Sequence, residues 1–303
     1  MPAAITFSRY GGPDVLTVSS TDTPQPGPGQ VRIRVRAVAV NVIDAKLRSG
    51  RLDGVFPVTF PFLPGWDVAG VVDAAGDGAL AAIGDEVFGV ASRGGYSEYA
   101  ILDRPVAKPA GLPWESAAAI ITVGEAAFRV LKHLDLKAGQ TLLILGAGGS
   151  VATIAVQLAV ARGITVIGTS AEGDIGRLTG LGATVVRYGD GWAERARAVA
   201  PAGVDAVFDT SGAGLLAEAI ALADGDPARV ITIADEQAAR HGVRFTGADP
   251  ADRAPQALPE LAAGLAQGRL SLPIWRSYPL EQAAKAHADL EARRNHGKLV
   301  LLP

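Results

Sequence analysis

At 303 residues, with 49% hydrophobic and 19% charged side chains, the chain has material for two apolar cores and is not an extended, disordered polymer. A formal net charge of −3, with no run of more than two lysines or arginines, argues against a nucleic-acid or anionic-membrane surface. The absence of cysteine excludes disulfides, iron–sulfur clusters, thiolate zinc sites and cysteine nucleophiles together.

The opening "MPAAITFSRYGG" has no basic start followed by an apolar core, so no signal peptide is expected and a cytoplasmic location is the default. "TPQPGPGQ" is a proline–glycine turn region that delays the next strand. "QVRIRVRAVAV" then alternates Val31, Ile33, Val35 and Ala37 with Arg32, Arg34 and Arg36, the period of a strand with one buried face. The arginine row reads as a solvated strand face; the other reading is a phosphate-binding strip. Short strands around "AGVVDAAG", "GDEVFGVA" and "GYSEYAIL", each closed by turn residues, suggest a partly closed barrel.

After Leu112 the pattern changes. "PWESAAAIITVGEAAFRVLKHLDL" reads as one helix bounded by Pro113 and Gly139. Strands and helices then alternate through "TLLILG", "SVATIAVQLAVARG", "TVIGTS", a short helix to Leu181, "ATVVRY", "VDAVFDT" and "ARVITIA". That rhythm predicts a parallel sheet covered on both faces. The uncharged run Thr141–Ala161 is long enough for a bilayer, but its glycine cluster splits it into a strand and a helix, so no membrane partner is expected. "LPELAAGLAQGRL" and "PLEQAAKAHADLEARR" read as amphipathic helices and "KLVLLP" as a last strand.

In "LLILGAGGSVA" a glycine cluster lies between an apolar strand and an alanine-rich helix, inside a βαβ unit. Such a turn brings the backbone close to a pyrophosphate, and the helix N-terminus supplies unpaired N–H groups and a positive dipole end. Gly146, Gly148, Gly149, Ser150 and Val151 are the candidate cofactor-binding residues there, and Ala152 supplies the small residue for helix–strand packing. The next strand ends in Ser170, where an acidic residue would bind the ribose of NAD, so NADPH is expected, with NADH possible. Tyr188 joins the cofactor set. Arg177 or Arg187 could meet a 2′-phosphate, while Glu172 and Asp174 would oppose one.

Taken in order, "YGGPDVL", "AVNVIDAKLRSG", "FLPGWDVAGVV", "GDEVFG", "GGYSEYA", "LGATVVRY", "YPLEQAAKAH" and "GKLVLLP" resemble the zinc-independent quinone oxidoreductase, or zeta-crystallin-like, branch of the medium-chain dehydrogenase/reductases. The resemblance spans essentially the whole chain. It implies an α/β protein with a GroES-like, partly closed β-barrel catalytic domain (residues 1–120 and 270–303) and a Rossmann doubly wound parallel-sheet domain (residues 121–269) that binds NADP. It also implies a small-molecule substrate held in a cleft, and a homodimer or homotetramer.

The positions that ligate zinc in alcohol dehydrogenase cousins correspond to Asn41 and Trp66, neither of which can replace a thiolate or an imidazole, so no metal is expected. His133, His241, His287 and His296 lie outside these motifs and read as ordinary surface or helix histidines. The resemblance makes Asn41 the candidate donor to the reduced oxygen, with Asp44 orienting its loop. Lys46 is either a proton or charge donor or a surface lysine. Asp67 is expected to brace the loop, and Trp66 to wall the substrate pocket. Three positions depart from the pattern: Glu125 adds an unusual charge, Ala126 replaces a threonine and Ala152 a glycine, which together could weaken or alter cofactor binding. The function implied is NADPH-dependent reduction of a quinone or α,β-unsaturated carbonyl compound. The alternatives are an enoyl or tailoring reductase of a biosynthetic pathway and a non-redox nucleotide-binding protein on the same fold.

Overall fold

The computed structural model describes residues 1–293 and 295–303. The chain forms two compact units, Met1–Thr122 with Leu258–Pro303, and Val123–Ala257. The return to the first unit therefore comes at Leu258, earlier than the expected residue 270.

The first unit begins with an antiparallel pair, β1 (Ala3–Thr6) and β2 (Thr17–Ser20). There follow β3 (Val31–Val40), α1 (Val42–Arg48), β4 (Asp67–Ala75), β5 (Glu86–Val90), β6 (Tyr99–Leu102) and β7 (Val106–Ala107), then α2 (Trp114–Leu134), within which the two units divide. β3 organises the sheet. It pairs with β4 from Val31 to Ala39 and, over its first half, with β6, and a bridge from Ala91 to Leu102 links the end of β5 back to β6, closing the circuit β3–β4–β5–β6. The alternation of β3 holds through Arg36: Val31, Ile33 and Val35 are buried while Arg34 and Arg36 are exposed. Arg32 departs from a simple solvated face, being half-buried and paired with Asp73 at 2.9 Å. From Ala37 to Val40 no polar residue interrupts the strand and both faces are covered.

The second unit runs β8 (Thr141–Leu145), α3 (Ser150–Ala161), β9 (Thr165–Ser170), α4 (Ile175–Gly180), β10 (Thr184–Arg187), α5 (Trp192–Val199), β11 (Ala206–Asp209), α6 (Leu216–Leu222), β12 (Val230–Thr232) and β13 (Arg244–Phe245). All six strands are parallel, in the order β10–β9–β8–β11–β12–β13. The order reverses direction between β8 and β11, which places a topological switch point at the carboxyl end of β8. Leu143, Leu145, Ile167 and Val207 share one core cluster with Leu216 and Leu222. The apolar run from Thr141 is thus a central strand and a covered helix. Among the described residues no helix is long and apolar enough to cross a membrane.

The chain then returns through α7 (Leu258–Ala266), β14 (Ile274–Pro279), α8 (Ala283–Glu291) and β15 (Lys298–Leu302). β15 inserts between β14 and the second half of β3, pairing antiparallel with β3 through Leu299–Val40, Val300–Ala39 and Leu301–Val38. Phe7, Ile33, Val68, Leu102, Tyr278 and Leu301 share the core that results.

Candidate active site

Asn41 ends β3 and opens α1, so its side chain stands where a strand meets a helix. It is only 6% exposed and its carboxamide is used at both ends. Oδ1 accepts a hydrogen bond from Lys298 Nζ at 2.5 Å, and Nδ2 donates to Asp67 Oδ2 at 2.9 Å. Asp67, fully buried, also accepts from the Thr122 hydroxyl at 2.8 Å and the Thr122 backbone N–H at 3.0 Å. Lys298 donates a second bond, to the Val40 carbonyl at 3.1 Å. Burial raises the Asp67 carboxyl above its ordinary range, opposed by Lys298 and by the Thr122 and Asn41 bonds. Burial likewise draws Lys298 below the usual lysine range, opposed by Asp67 and Asp44.

Asp44 completes the entry to α1 by accepting the Asn41 backbone N–H at 2.8 Å, the return half of a capping box. Burial pushes its carboxyl up to about 7, although the Asn41 N–H favours the charged form. Behind it, Tyr96 is hydrogen-bonded to His287 through Oη and Nε2 at 2.9 Å. The Tyr96 ring lies against Gly65, where an added Cβ would fall 2.1 Å from a ring carbon, so the Gly-Trp-Asp frame requires glycine at its first position. Burial, with Arg48 nearby, lowers His287 to about 3.

At the switch point of the second unit, Gly146 has φ +79° and donates its N–H to Thr169 Oγ1 at 3.1 Å. A Cβ on Gly148 would come within 2.6 Å of the Asp174 carboxylate. Gly149 is the N-cap of α3 and no side chain caps that end, which leaves N–H groups of the first turn for an anion. Arg177 is committed beneath this loop, to the Gly148 carbonyl at 2.9 Å, Thr153 Oγ1 at 2.8 Å and Asp174 at 2.9 Å. Ser170 is buried and gives its hydroxyl hydrogen to the Ala171 carbonyl at 3.0 Å. Arg187 is its cross-strand neighbour, and its exposed side chain reaches Glu172 only at 3.5 Å. The glycine cradle and the uncapped helix end fit a dinucleotide pyrophosphate.

Residues 27–113 match the family described as alcohol dehydrogenase GroES-like domain, and residues 181–301 the family described as zinc-binding dehydrogenase. A quinone oxidoreductase of Sus scrofa is 32% identical over 325 residues, covering 99% of this chain and 97% of that protein. The chain belongs to the quinone oxidoreductase branch of the medium-chain dehydrogenase/reductase superfamily. A 2-methylene-furan-3-one reductase of Solanum lycopersicum is 32% identical over 195 residues, 59% of this chain and 50% of the tomato protein. A mycobacterial protein solved in complex with NADPH has a TM-score of 0.85 and 28% identity, covering 100% of both chains.

Within this oxidoreductase fold the candidates from sequence separate into distinct settings. Asn41 and Asp44 lie in one buried polar cluster with Asp67, Thr122 and Lys298. Lys46 and Trp66 are half-buried beside it in sequence, on α1 and just before β4. Gly146, Gly148 and Gly149 form the turn into α3, which Ser150 and Val151 begin, while Ser170 ends β9 and the 64% exposed Tyr188 follows β10. Among the described residues no cluster of three or more histidines, aspartates, glutamates or cysteines is placed to hold a metal.

One expectation needs correction. His287 is not an ordinary helix histidine, because its side chain is fully buried against Tyr96. The unusual charge at Glu125 has buried partners: it pairs with Arg129 at 2.8 Å and accepts the Ala254 N–H at 2.8 Å, while Arg129 reaches Thr246 at 2.7 Å. Ala152 is fully buried, as a small packing residue should be. Residues missed from sequence are Lys298, Thr122 and the turn after β11, where Asp209 accepts from Ser211, Gly212 and Thr232, and Thr210 bonds the Leu145 and Gly146 carbonyls. The string "FDTSG", polar directly after an apolar strand, was the available signal for that turn.

Proposed function

We propose that this protein is an NADPH-dependent reductase that moves hydride to a quinone or an α,β-unsaturated carbonyl compound without a metal ion. The observation that carries the reading is the Asn41 amide. One N–H is held by Asp67 and the other has no acceptor among the described residues, so it can receive the oxygen that gains charge during reduction. Bound NADPH supplies the hydride.

The chain's own residues do the rest. Gly146, Gly148, Gly149, Ser150 and Val151 would hold the pyrophosphate, with Ser170, Arg187 and Tyr188 toward the adenosine end. Ser170 presents no carboxylate to repel a 2′-phosphate, and Arg187, next to it across the sheet, is the cation to meet one. Asp44 keeps the start of α1 in place, and Lys46 remains a candidate proton donor to the reduced oxygen. Trp66 is proposed as a wall for a flat substrate. Similarity to the pig quinone oxidoreductase supports the quinone class, and similarity to part of the tomato reductase supports the enone class.

The test is NADPH oxidation followed at 340 nm with 9,10-phenanthrenequinone, 1,4-benzoquinone and a simple enone, alongside calorimetric titration of NADPH and NADH. Turnover with a quinone or enone, insensitive to chelator, is expected. Absence of nucleotide binding overturns the enzyme reading; stoichiometric zinc required for turnover overturns the metal-free one.

A further inference from the structure

Lys298 lies at the first position of β15, and the register Leu299–Val40 sets it directly across from Asn41. It is 4% exposed, and both of its hydrogen bonds go to the end of β3 and the residue after it, the Val40 carbonyl and Asn41 Oδ1. On the other side of the same amide, Nδ2 donates to Asp67. Lys298 faces Asn41 as a donor, as it does the Val40 carbonyl, and Asp67 faces it as an acceptor, as it does the Thr122 N–H and hydroxyl. The pair therefore dictates which end of the Asn41 carboxamide is oxygen and which is nitrogen. The cation at the oxygen also favours the charge-separated amide, in which the C–N bond has more double-bond character and both N–H groups are stronger donors.

We propose that Lys298 is a positioning residue that acts through Asn41, fixing the direction of its amide and strengthening the free N–H that meets the reduced oxygen. The proposal rests on the role given to Asn41 above. A lysine serving only to join β15 to β3 would hold the strands together without changing the electronic state of the amide. The two roles are separable by experiment.

Only two asparagines occur in the sequence, Asn41 and Asn295. Protein labelled with 15N at asparagine therefore shows two side-chain NH2 pairs, with Asn295, whose amide donates to the Gly297 carbonyl, as internal reference. In the native protein the Asn41 pair should lie downfield of the Asn295 pair. Coincident positions overturn the proposal without any variant. In Lys298→Met the Asn41 pair should move upfield while the Asn295 pair stays, and kcat should fall about 10- to 100-fold with KM for NADPH unchanged, by analogy with the loss of an outer partner of a metal ligand. An Asn41 pair that does not move, or kcat within about twofold of native, overturns it.

Because the chain has no cysteine, Lys298→Cys introduces one thiol that can be alkylated with 2-bromoethylamine in denaturant and refolded, restoring an amine of lysine length. The alkylated protein should recover most of the lost kcat and the downfield Asn41 position; failure to recover either overturns the proposal. If native protein binds NADPH but reduces no quinone or enone, the proposed function fails while the NMR arm still decides whether Lys298 polarises Asn41.

Discussion

Thr122 gives Asp67 two hydrogen bonds, from its hydroxyl at 2.8 Å and its backbone N–H at 3.0 Å. The contact ties α2 to the first residue of β4, and it supplies two of the donors that let a fully buried carboxylate persist. Thr122→Val keeps the shape and the backbone bond but deletes the hydroxyl. A bond to a charged group is worth about 1.5–3 kcal/mol, so unfolding free energy should fall by that amount. Urea denaturation checks it, and a loss below about 0.5 kcal/mol would show that water or another group replaces the hydroxyl.

The Glu125–Arg129 pair is one helical turn long and buried at both ends, 7% and 3% exposed. Removing Arg129 leaves the buried Glu125 with only the Ala254 N–H and the more distant Arg253, at 3.7 Å. Arg129→Met should therefore cost about 3–5 kcal/mol, and the double variant Glu125→Met, Arg129→Met clearly less than the sum of the two single changes. Additive losses in a double-mutant cycle would mean that the two side chains do not depend on each other.

Asp44 should leave a signature in the pH dependence of stability. Its folded pKa is raised, to about 7 from an ordinary value of 3.8. The folded state thus holds a proton that the unfolded chain has released, and the associated stability is full below the unfolded value and lost as pH rises to about 7. Asp44→Asn removes the titration. The stability deficit of that variant relative to native should be largest near pH 4 and shrink toward pH 7.5. A deficit that grows over that interval would contradict the assignment. His287 acts in the opposite sense: lowered to about 3, it costs stability as pH falls below its unfolded value. Comparing variants, rather than reading the native curve, separates the two.

Arg187 sits opposite Ser170 in the register of β10 and β9, with its side chain in solvent. Loss of a charge-assisted bond to a 2′-phosphate costs about 1.5–3 kcal/mol, roughly tenfold or more in affinity. Arg187→Ala should weaken NADPH binding by that factor and leave NADH nearly unchanged, as measured by calorimetric titration. Equal effects on both nucleotides would place the phosphate elsewhere.

The parts legible in the sequence are the parts that local pattern determines. The β8–turn–α3 unit could be read because an apolar strand, three glycines and an alanine-rich helix are contiguous, and β3 because hydrophobic alternation marks a strand whatever its partners. Lys298 and Asn41 are 257 residues apart, and only the insertion of β15 beside β3 brings them together. Nothing in "GKLVLLP" distinguishes that lysine from a solvated one. His287 was placed on the correct helix, but which face of a short alanine-rich helix is sealed depends on its neighbours in space. The setting of Glu125 is not legible locally because one of its partners, the Ala254 N–H, lies 129 residues away.

β15 is sandwiched between β14 and β3, yet it is synthesised after every other strand of its sheet. The second unit is one continuous segment, so it can close while the remainder is still on the ribosome. The first unit must wait with the edge of β3 from Val38 to Val40 unpaired, an apolar strand edge open to other chains. Translation itself thus creates an interval of aggregation risk for the half of the molecule that carries Asn41, and the same late strand that ends the interval delivers Lys298.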